Sequence, residues 1–173
     1  EMLADVRRRL PGGVRFLGYG HRVSFGFVTH EVLSGFAVKK IVARAAEDVI
    51  AWNQLGCLSP HLIYVETGGV VSPELFAEKL AEEFARCEAG EPRGDIPVEL
   101  SASIASRRDF YRVRAAAGNE TRLWASEGST AWTVVFESDP QFQLSCLNRF
   151  IHVKAVANLE EALRQAEAVR GRV

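Results

Sequence analysis

The stretch LSGFAVKKIVARAAEDVIAWNQLGCLSPHLIYVE, residues 33–66, changes its hydrophobic period part-way along, and that change decides the fold class. In its first half Leu33, Phe36, Ala37, Ile41, Ala45, Val49 and Trp52 recur every three or four residues. Lys39, Lys40, Arg44, Glu47 and Asp48 fall on the other side, which is the pattern of an amphipathic helix. Thr29 reads as the N-cap and Gly56 as the stop. From His61 to Glu66 the chain is a short apolar run closed by Gly68-Gly69, the signature of a buried strand. A helix feeding a strand is one step of an α/β alternation.

Working outward, the alternation continues on both sides. Phe16 and Leu17 read as a short strand after the Pro11-Gly12-Gly13 turn, and Val23 to Val28 as another. Ser72-Pro73-Glu74 starts a helix with proline in the first turn, where its missing N–H costs nothing, and Phe76, Leu80, Phe84 and Cys87 share one stripe of it. Gly90 to Pro97 is the clearest break, followed by a weaker helix through Ile104, Tyr111 and Val113 that ends at Gly118-Asn119. Arg122 to Ala125, Ala131 to Phe136 and Arg149 to Val153 return to sheet, the middle run apolar enough to be buried on both faces. Asn158 with Glu161 three residues on opens a last helix carried by Leu159, Leu163 and Ala166. The expected architecture is α/β, a three-layer α/β/α sandwich with a partly parallel sheet in a single domain spanning 1–173.

Composition narrows the function classes. The chain has 173 residues, 21 Lys plus Arg against 22 Asp plus Glu, and a formal net charge of -1, so it offers no general basic attraction for nucleic acid or anionic lipid. The one tight basic run, Arg7-Arg8-Arg9, sits beside Asp5 and Val6 and reads as a solvated helix face. No apolar stretch approaches the roughly 20 residues of a membrane span, and no signal peptide opens the sequence, so a cytoplasmic location is expected. Cys57, Cys87 and Cys146 are too scattered for a disulfide framework or a zinc site, and no His and carboxylate set has metal-ligand spacing.

Two segments could carry chemistry. Gly18-Tyr19-Gly20-His21-Arg22-Val23 begins like a dinucleotide fingerprint, but the third glycine is missing and a strand follows where a helix is required. His21 and His61 each read first as structural histidines. The stronger segment is Asn53-Gln54-Leu55-Gly56-Cys57-Leu58-Ser59-Pro60-His61, in which a thiol stands in a polar hinge between a helix and a strand. Rigid flanks hold attack geometry, and irregular backbone leaves N–H groups to receive an oxyanion. Cys87, on an apolar stripe, reads as packing. A thiol that follows a helix C-terminus has its thiolate disfavoured, so activation of Cys57 would rest on other contacts.

That string resembles the Asp-Gln-Gln-Gly-Cys-Leu-Ser-Pro-His signature of the acyl-CoA reductases related to the fatty acid reductase of bacterial bioluminescence, a branch of the aldehyde dehydrogenase superfamily. Gly20-His21-Arg22-Val23-Ser24 is similar to the family's Gly-His-Lys-x-Ser segment, and Leu147-Asn148-Arg149-Phe150-Ile151 to its Pro-Leu-x-Arg segment. Asn53 departs from the usual Asp. Cys146 stands where Pro is usual, and reads as a packing substitution.

The resemblance implies the catalytic-cysteine domain alone, with the cofactor-binding half outside this chain and Cys57 facing an interdomain cleft. It implies covalent chemistry: the Cys57 thiolate takes the acyl group of a long-chain fatty acyl-CoA, CoA leaves, and hydride from NADPH releases the aldehyde. Asn53, Gln54, Gly56, Ser59 and His61 would form the substrate and oxyanion neighbourhood, Ser59 and His61 orienting the hinge, and His21 would line the cofactor side. Gly18 stands where ordinary aldehyde dehydrogenases carry their general-base glutamate, so the acyl-enzyme would resist water. The resemblance leaves room for a homo-oligomer. Two rivals stay open: a Cys/His hydrolase using His21 or His61 as base, and an interaction domain in which Cys57 is structural.

Overall fold

The computed structural model describes residues 2–16, 22–35, 37–118 and 120–171, with side chains from residue 4 onward. Its elements in chain order are α1 (Met2–Arg9), β1 (Ser24–Val28), α2 (Ala37–Ile50), β2 (Pro60–Glu66), α3 (Pro73–Gly90) and α4 (Val98–Ala117). They are followed by β3 (Thr121–Ala125), β4 (Thr133–Glu137), β5 (Phe150–Val156) and α5 (Leu159–Gln165). The five strands form one sheet in the order β1-β2-β5-β4-β3, parallel except for β3, which runs antiparallel to β4.

Alternation along the strands builds the three layers. Ile63 and Val65, Val134 and Phe136, and Ile151 and Val153 point to one face, where they meet Val38, Val42, Ala46 and Val49 of α2 and Phe76, Leu80 and Phe84 of α3. The intervening residues face the other way: Leu62, Tyr64 and Val156 onto Ala162 of α5, and Val135 and Phe150 onto Ile104 and Tyr111 of α4. That second face also buries charge. Glu137 and Lys154, opposite each other on β4 and β5, are both 2% exposed or less and lie 3.1 Å apart, with His152 buried beside them.

Helix ends follow the expected chemistry where caps exist. Ser72 Oγ accepts from Leu75 N at 3.1 Å with Pro73 in the first turn. Asn158 Oδ1 accepts from Glu161 N, and the Glu161 carboxylate accepts in return from Ala157 N, a reciprocal capping arrangement.

Several expectations are corrected. Phe16 lies outside any strand, and Leu17 lies outside the described residues. Thr29 makes no side-chain cap and precedes a 3-10 turn, His30–Leu33, so α2 starts only at Ala37. The helix stops at Ile50 and not at Gly56. Its buried stripe is Val38, Val42, Ala46 and Val49; of the expected residues Leu33 and Val49 are buried, Ile41 and Ala45 are half-buried against the same core, Ala37 and Trp52 are exposed, and Phe36 lies outside the described residues. Val113 of α4 and Leu159 and Leu163 of α5 are also exposed, while Ala162 and Ala166 point inward. Arg149 precedes β5, and Ala131-Trp132 precede β4.

Candidate active site

The site is built from two backbone turns at the amino edge of the parallel strands. After α2 the chain passes through Trp52, Asn53 and Gln54 with φ of 54°, 52° and 65°; before β5 it passes through Leu147, Asn148 and Arg149 with φ of 63°, 56° and 64°. None of the six is glycine. Left-handed backbone costs an L-residue roughly 1–2 kcal/mol, so two such triplets persist only where the surroundings hold them.

Side chains from each turn do the holding. Gln54 is 1% exposed; its Nε2 donates to Pro60 O at 2.8 Å and Phe150 O at 3.0 Å, while its Oε1 accepts from Phe150 N at 3.0 Å. One amide thus pins the start of β2 to the start of β5. Arg149, 4% exposed, donates from Nε to Asn53 Oδ1 at 2.9 Å and from Nη1 to Glu88 Oε2 at 2.8 Å and Glu91 O at 3.1 Å. Asn53 Nδ2 in turn donates to Arg93 O at 3.3 Å.

Cys57 follows the first turn and is exposed, the one exposed thiol of the three. Its carbonyl accepts from Ser24 Oγ at 2.9 Å, so the first residue of β1 steadies the hinge. Ser59 N donates to Gly56 O at 3.0 Å, and a Cβ on Gly56 would stand 3.2 Å from Ser59 Oγ, so any larger residue before the thiol crowds this turn. Among the described residues no hydrogen bond occupies the Cys57 N–H, which leaves it available to an oxyanion. Trp52, Leu55 and Leu58, within five residues of Cys57 along the chain, are exposed at 85%, 63% and 85%.

His61 sits where β1 and β2 slip register: Ser24 pairs with Pro60 but Phe25 with Leu62, leaving His61 as the bulged residue. Its Nδ1 accepts from Ser145 N at 3.2 Å, and burial lowers its pKa. With Nδ1 engaged by the Ser145 backbone, Nε2 is the ring nitrogen left to face a substrate. Ser145 also accepts from Leu147 N at 2.7 Å and donates to Phe150 O, closing the second turn. Cys87 and Cys146 are half-buried, and desolvation raises both thiols, with Glu83 adding to the effect at Cys87. Cys146 packs against the cluster of Ile104, Tyr111, Val135 and Phe150.

The structure therefore brings three distant segments together: Ser24, the Asn53–His61 string, and Leu147–Phe150. Asn53, Gln54, Gly56, Ser59 and His61 all belong to that assembly. Gly18 and His21 lie outside the described residues. Glu88, Arg93 and Ser145 were not expected; Ser145 adjoins the Leu147–Ile151 segment but, like Glu88 and Arg93, matches no quoted motif position, and only the fold reveals its role.

At the carboxyl ends of β1 and β2, His30 is paired with Glu66 at 2.7 Å, and a Cβ on Gly69 would lie 3.1 Å from the His30 backbone oxygen. The N-terminus of α3 is taken by Ser72. Among the described residues no group of three or more His, Cys, Asp or Glu could hold a metal ion, and no helix is long and apolar enough to cross a membrane.

Comparison with known proteins agrees with this architecture. The chain is similar in fold to a bifunctional proline utilization A protein, with a TM-score of 0.66 and 16% identity over 96% of this chain and 18% of the other. It is similar to a mutant of proline utilization A from Bradyrhizobium japonicum, with a TM-score of 0.59 and 14% identity over 87% of this chain and 15% of the other. It is also similar to a 1-pyrroline-5-carboxylate dehydrogenase from Thermus solved with bound NAD, with a TM-score of 0.55 and 15% identity over 95% of this chain and 34% of that one. The chain thus spans about a third or less of the length of these neighbours. Among curated protein sequences no significant match is found. The fold, a five-stranded sheet flanked by helices, resembles that of aldehyde dehydrogenase catalytic domains. The family model of the acyl-CoA reductases (LuxC) matches residues 1–172, and the chain belongs to this family.

Proposed function

We propose that residues 1–173 are the catalytic-cysteine domain of a longer cytoplasmic enzyme that reduces a long-chain fatty acyl-CoA to the aldehyde. The observation that carries this reading is the convergence of Ser24, Asn53–His61 and Leu147–Phe150 on one exposed thiol. The Cys57 thiolate attacks the thioester carbonyl; the new bond is acyl to Sγ, the broken bond is acyl to the CoA sulfur, and CoA departs as a thiol after taking up a proton. The Cys57 N–H supplies one donor to the oxyanion. Exposed Trp52, Leu55 and Leu58 give the apolar chain a surface beside the thiol.

A nicotinamide cofactor, NADPH by family resemblance, supplies the hydride when bound. By the same resemblance the cofactor is bound mainly by a domain outside this chain. At His61 the hydrolase alternative would have only Nε2 to work with, since Nδ1 is engaged by the Ser145 backbone. Incubating the complete enzyme with an acyl-CoA and then with reduced cofactor tests the proposal. Aldehyde indicates the reductase, free acid the hydrolase, and an unlabelled protein the interaction domain.

A further inference from the structure

The two left-handed turns need an explanation beyond the thiol itself. Asparagine tolerates left-handed backbone better than most residues, and each triplet contains one, Asn53 and Asn148, but Trp52, Gln54, Leu147 and Arg149 have no such excuse. If Trp52–Gln54 relaxed to the right-handed region, each φ would change by about 120°, and everything beyond it up to Pro60 would be redirected. The position of Cys57 is therefore set by whatever keeps this triplet left-handed.

Gln54 holds it from the side of the sheet through β2 and β5. The charged side chain hydrogen-bonded to it is Arg149, itself the last residue of the second triplet. Its guanidinium is almost fully buried and shared between three acceptors: the Asn53 side chain, the Glu88 carboxylate of α3, and Glu91 O in the loop that follows α3. A buried cation requires a partner, and Glu88 supplies it at 2.8 Å. The planar fork then directs Nε at Asn53, an arrangement that a point-charge ammonium cannot copy.

We propose that Arg149 is a positioning residue for Cys57: shared between Asn53 and Glu88, its guanidinium locks the left-handed turn from which the thiol is presented. The proposal rests on reading Cys57 as the acyl acceptor. It predicts that the C-terminal end of α3, which carries no reacting group, controls the rate of the thiol.

The test compares Asn53→Ala, Arg149→Met, the double variant and Arg149→Lys in the complete enzyme, following kcat, KM and amide hydrogen exchange over residues 52–59. Asn53→Ala keeps the Arg149–Glu88 pair and so remains informative if Arg149→Met fails to fold. The expected result is a fall in kcat of about 10–100-fold for each single variant, with KM within about threefold, as displacement of a nucleophile by around 1 Å produces. Exchange over 52–59 rises, the double variant is no slower than the worse single within about twofold, and Arg149→Lys lies between wild type and Arg149→Met. A kcat unchanged within about twofold, a rise in KM that accounts for the loss, or single effects that multiply in the double would each overturn the proposal. Wild-type enzyme that takes no acyl group on Cys57 would instead remove the functional reading. Exchange alone would then judge the clamp, and a flat profile would overturn it too.

Discussion

On the α2/α3 face of the sheet, Ile63, Val65, Val134, Phe136, Ile151 and Val153 meet Val38, Val42, Phe76, Leu80 and Phe84, apolar against apolar. At the amino edge of the same strands the chain runs through six left-handed non-glycine residues, buries Gln54 and Arg149, and leaves Trp52, Leu55, Cys57 and Leu58 in the open. The first region gains free energy from burial and carries no candidate chemistry. The second spends it on backbone strain, a buried cation and exposed apolar surface. A thiol that must meet a substrate needs the second kind of place, and a loop under strain stays in one conformation only if a rigid sheet lies behind it.

The comparison breaks if the two regions respond alike to substitution. The largest effect belongs to the core: Phe84→Ala, which removes a ring that is 1% exposed and stacked edge-on against Trp132, should cost about 3–5 kcal/mol in urea unfolding. The alkylation rate of native Cys57 by iodoacetamide should stay as it was. A matching change in thiol reactivity would mean that the core and the edge are one unit.

Gln54→Ala comes next. It removes the side-chain acceptor of Phe150 N and the side-chain donor to Pro60 O and Phe150 O, a loss of about 1–3 kcal/mol. Unlike Phe84→Ala it should also slow acylation of Cys57, and stability loss without that slowing would place the amide with the core instead of the site.

The smallest effect is a pH dependence from the α4/α5 face. Desolvation first, and then the charges of Lys154, Arg107 and His61, lower His152 to about 3. Below the ordinary histidine value near 6.5 the unfolded chain binds a proton that the folded chain refuses. The stability tied to this group is therefore complete above about pH 6.5 and is lost progressively as pH falls toward 3. Burial of His61 acts in the same direction in the upper part of that window. Unfolding free energy measured between pH 7 and 5 should fall, and His152→Gln should flatten the slope; an unchanged slope in the variant would assign the loss to other groups.

The apolar face was the legible part of this molecule. Strand runs such as His61 to Glu66, the Ser72-Pro73 helix start and the Asn158 cap all follow from local chemistry, and the structure has each of them. In α2, Trp52 looks like the end of an apolar stripe. Nothing in its type announces a left-handed backbone that carries the indole into solvent. Lys154, Glu137 and His152 look like surface residues in a sequence, since only cross-strand pairing tells that Lys154 and Glu137 neutralise each other inside while burial keeps His152 uncharged beside them. At the site, the Cys57 string and the Leu147–Ile151 segment could be picked out one at a time. Their contact could not, because Arg149 and Asn53 are 96 positions apart and are joined through a fold.

The central claim is that Cys57, and neither of the other two thiols, carries the acyl group. Exposure of the complete enzyme and its Cys57→Ala variant to an acyl-CoA without reduced cofactor, followed by digestion and mass spectrometry, tests it directly. The expected result is one acyl adduct on the peptide containing Cys57, absent from the variant, with Cys87 and Cys146 unmodified because burial raises both thiols. An adduct on Cys87 or Cys146 with Cys57 bare would contradict the account.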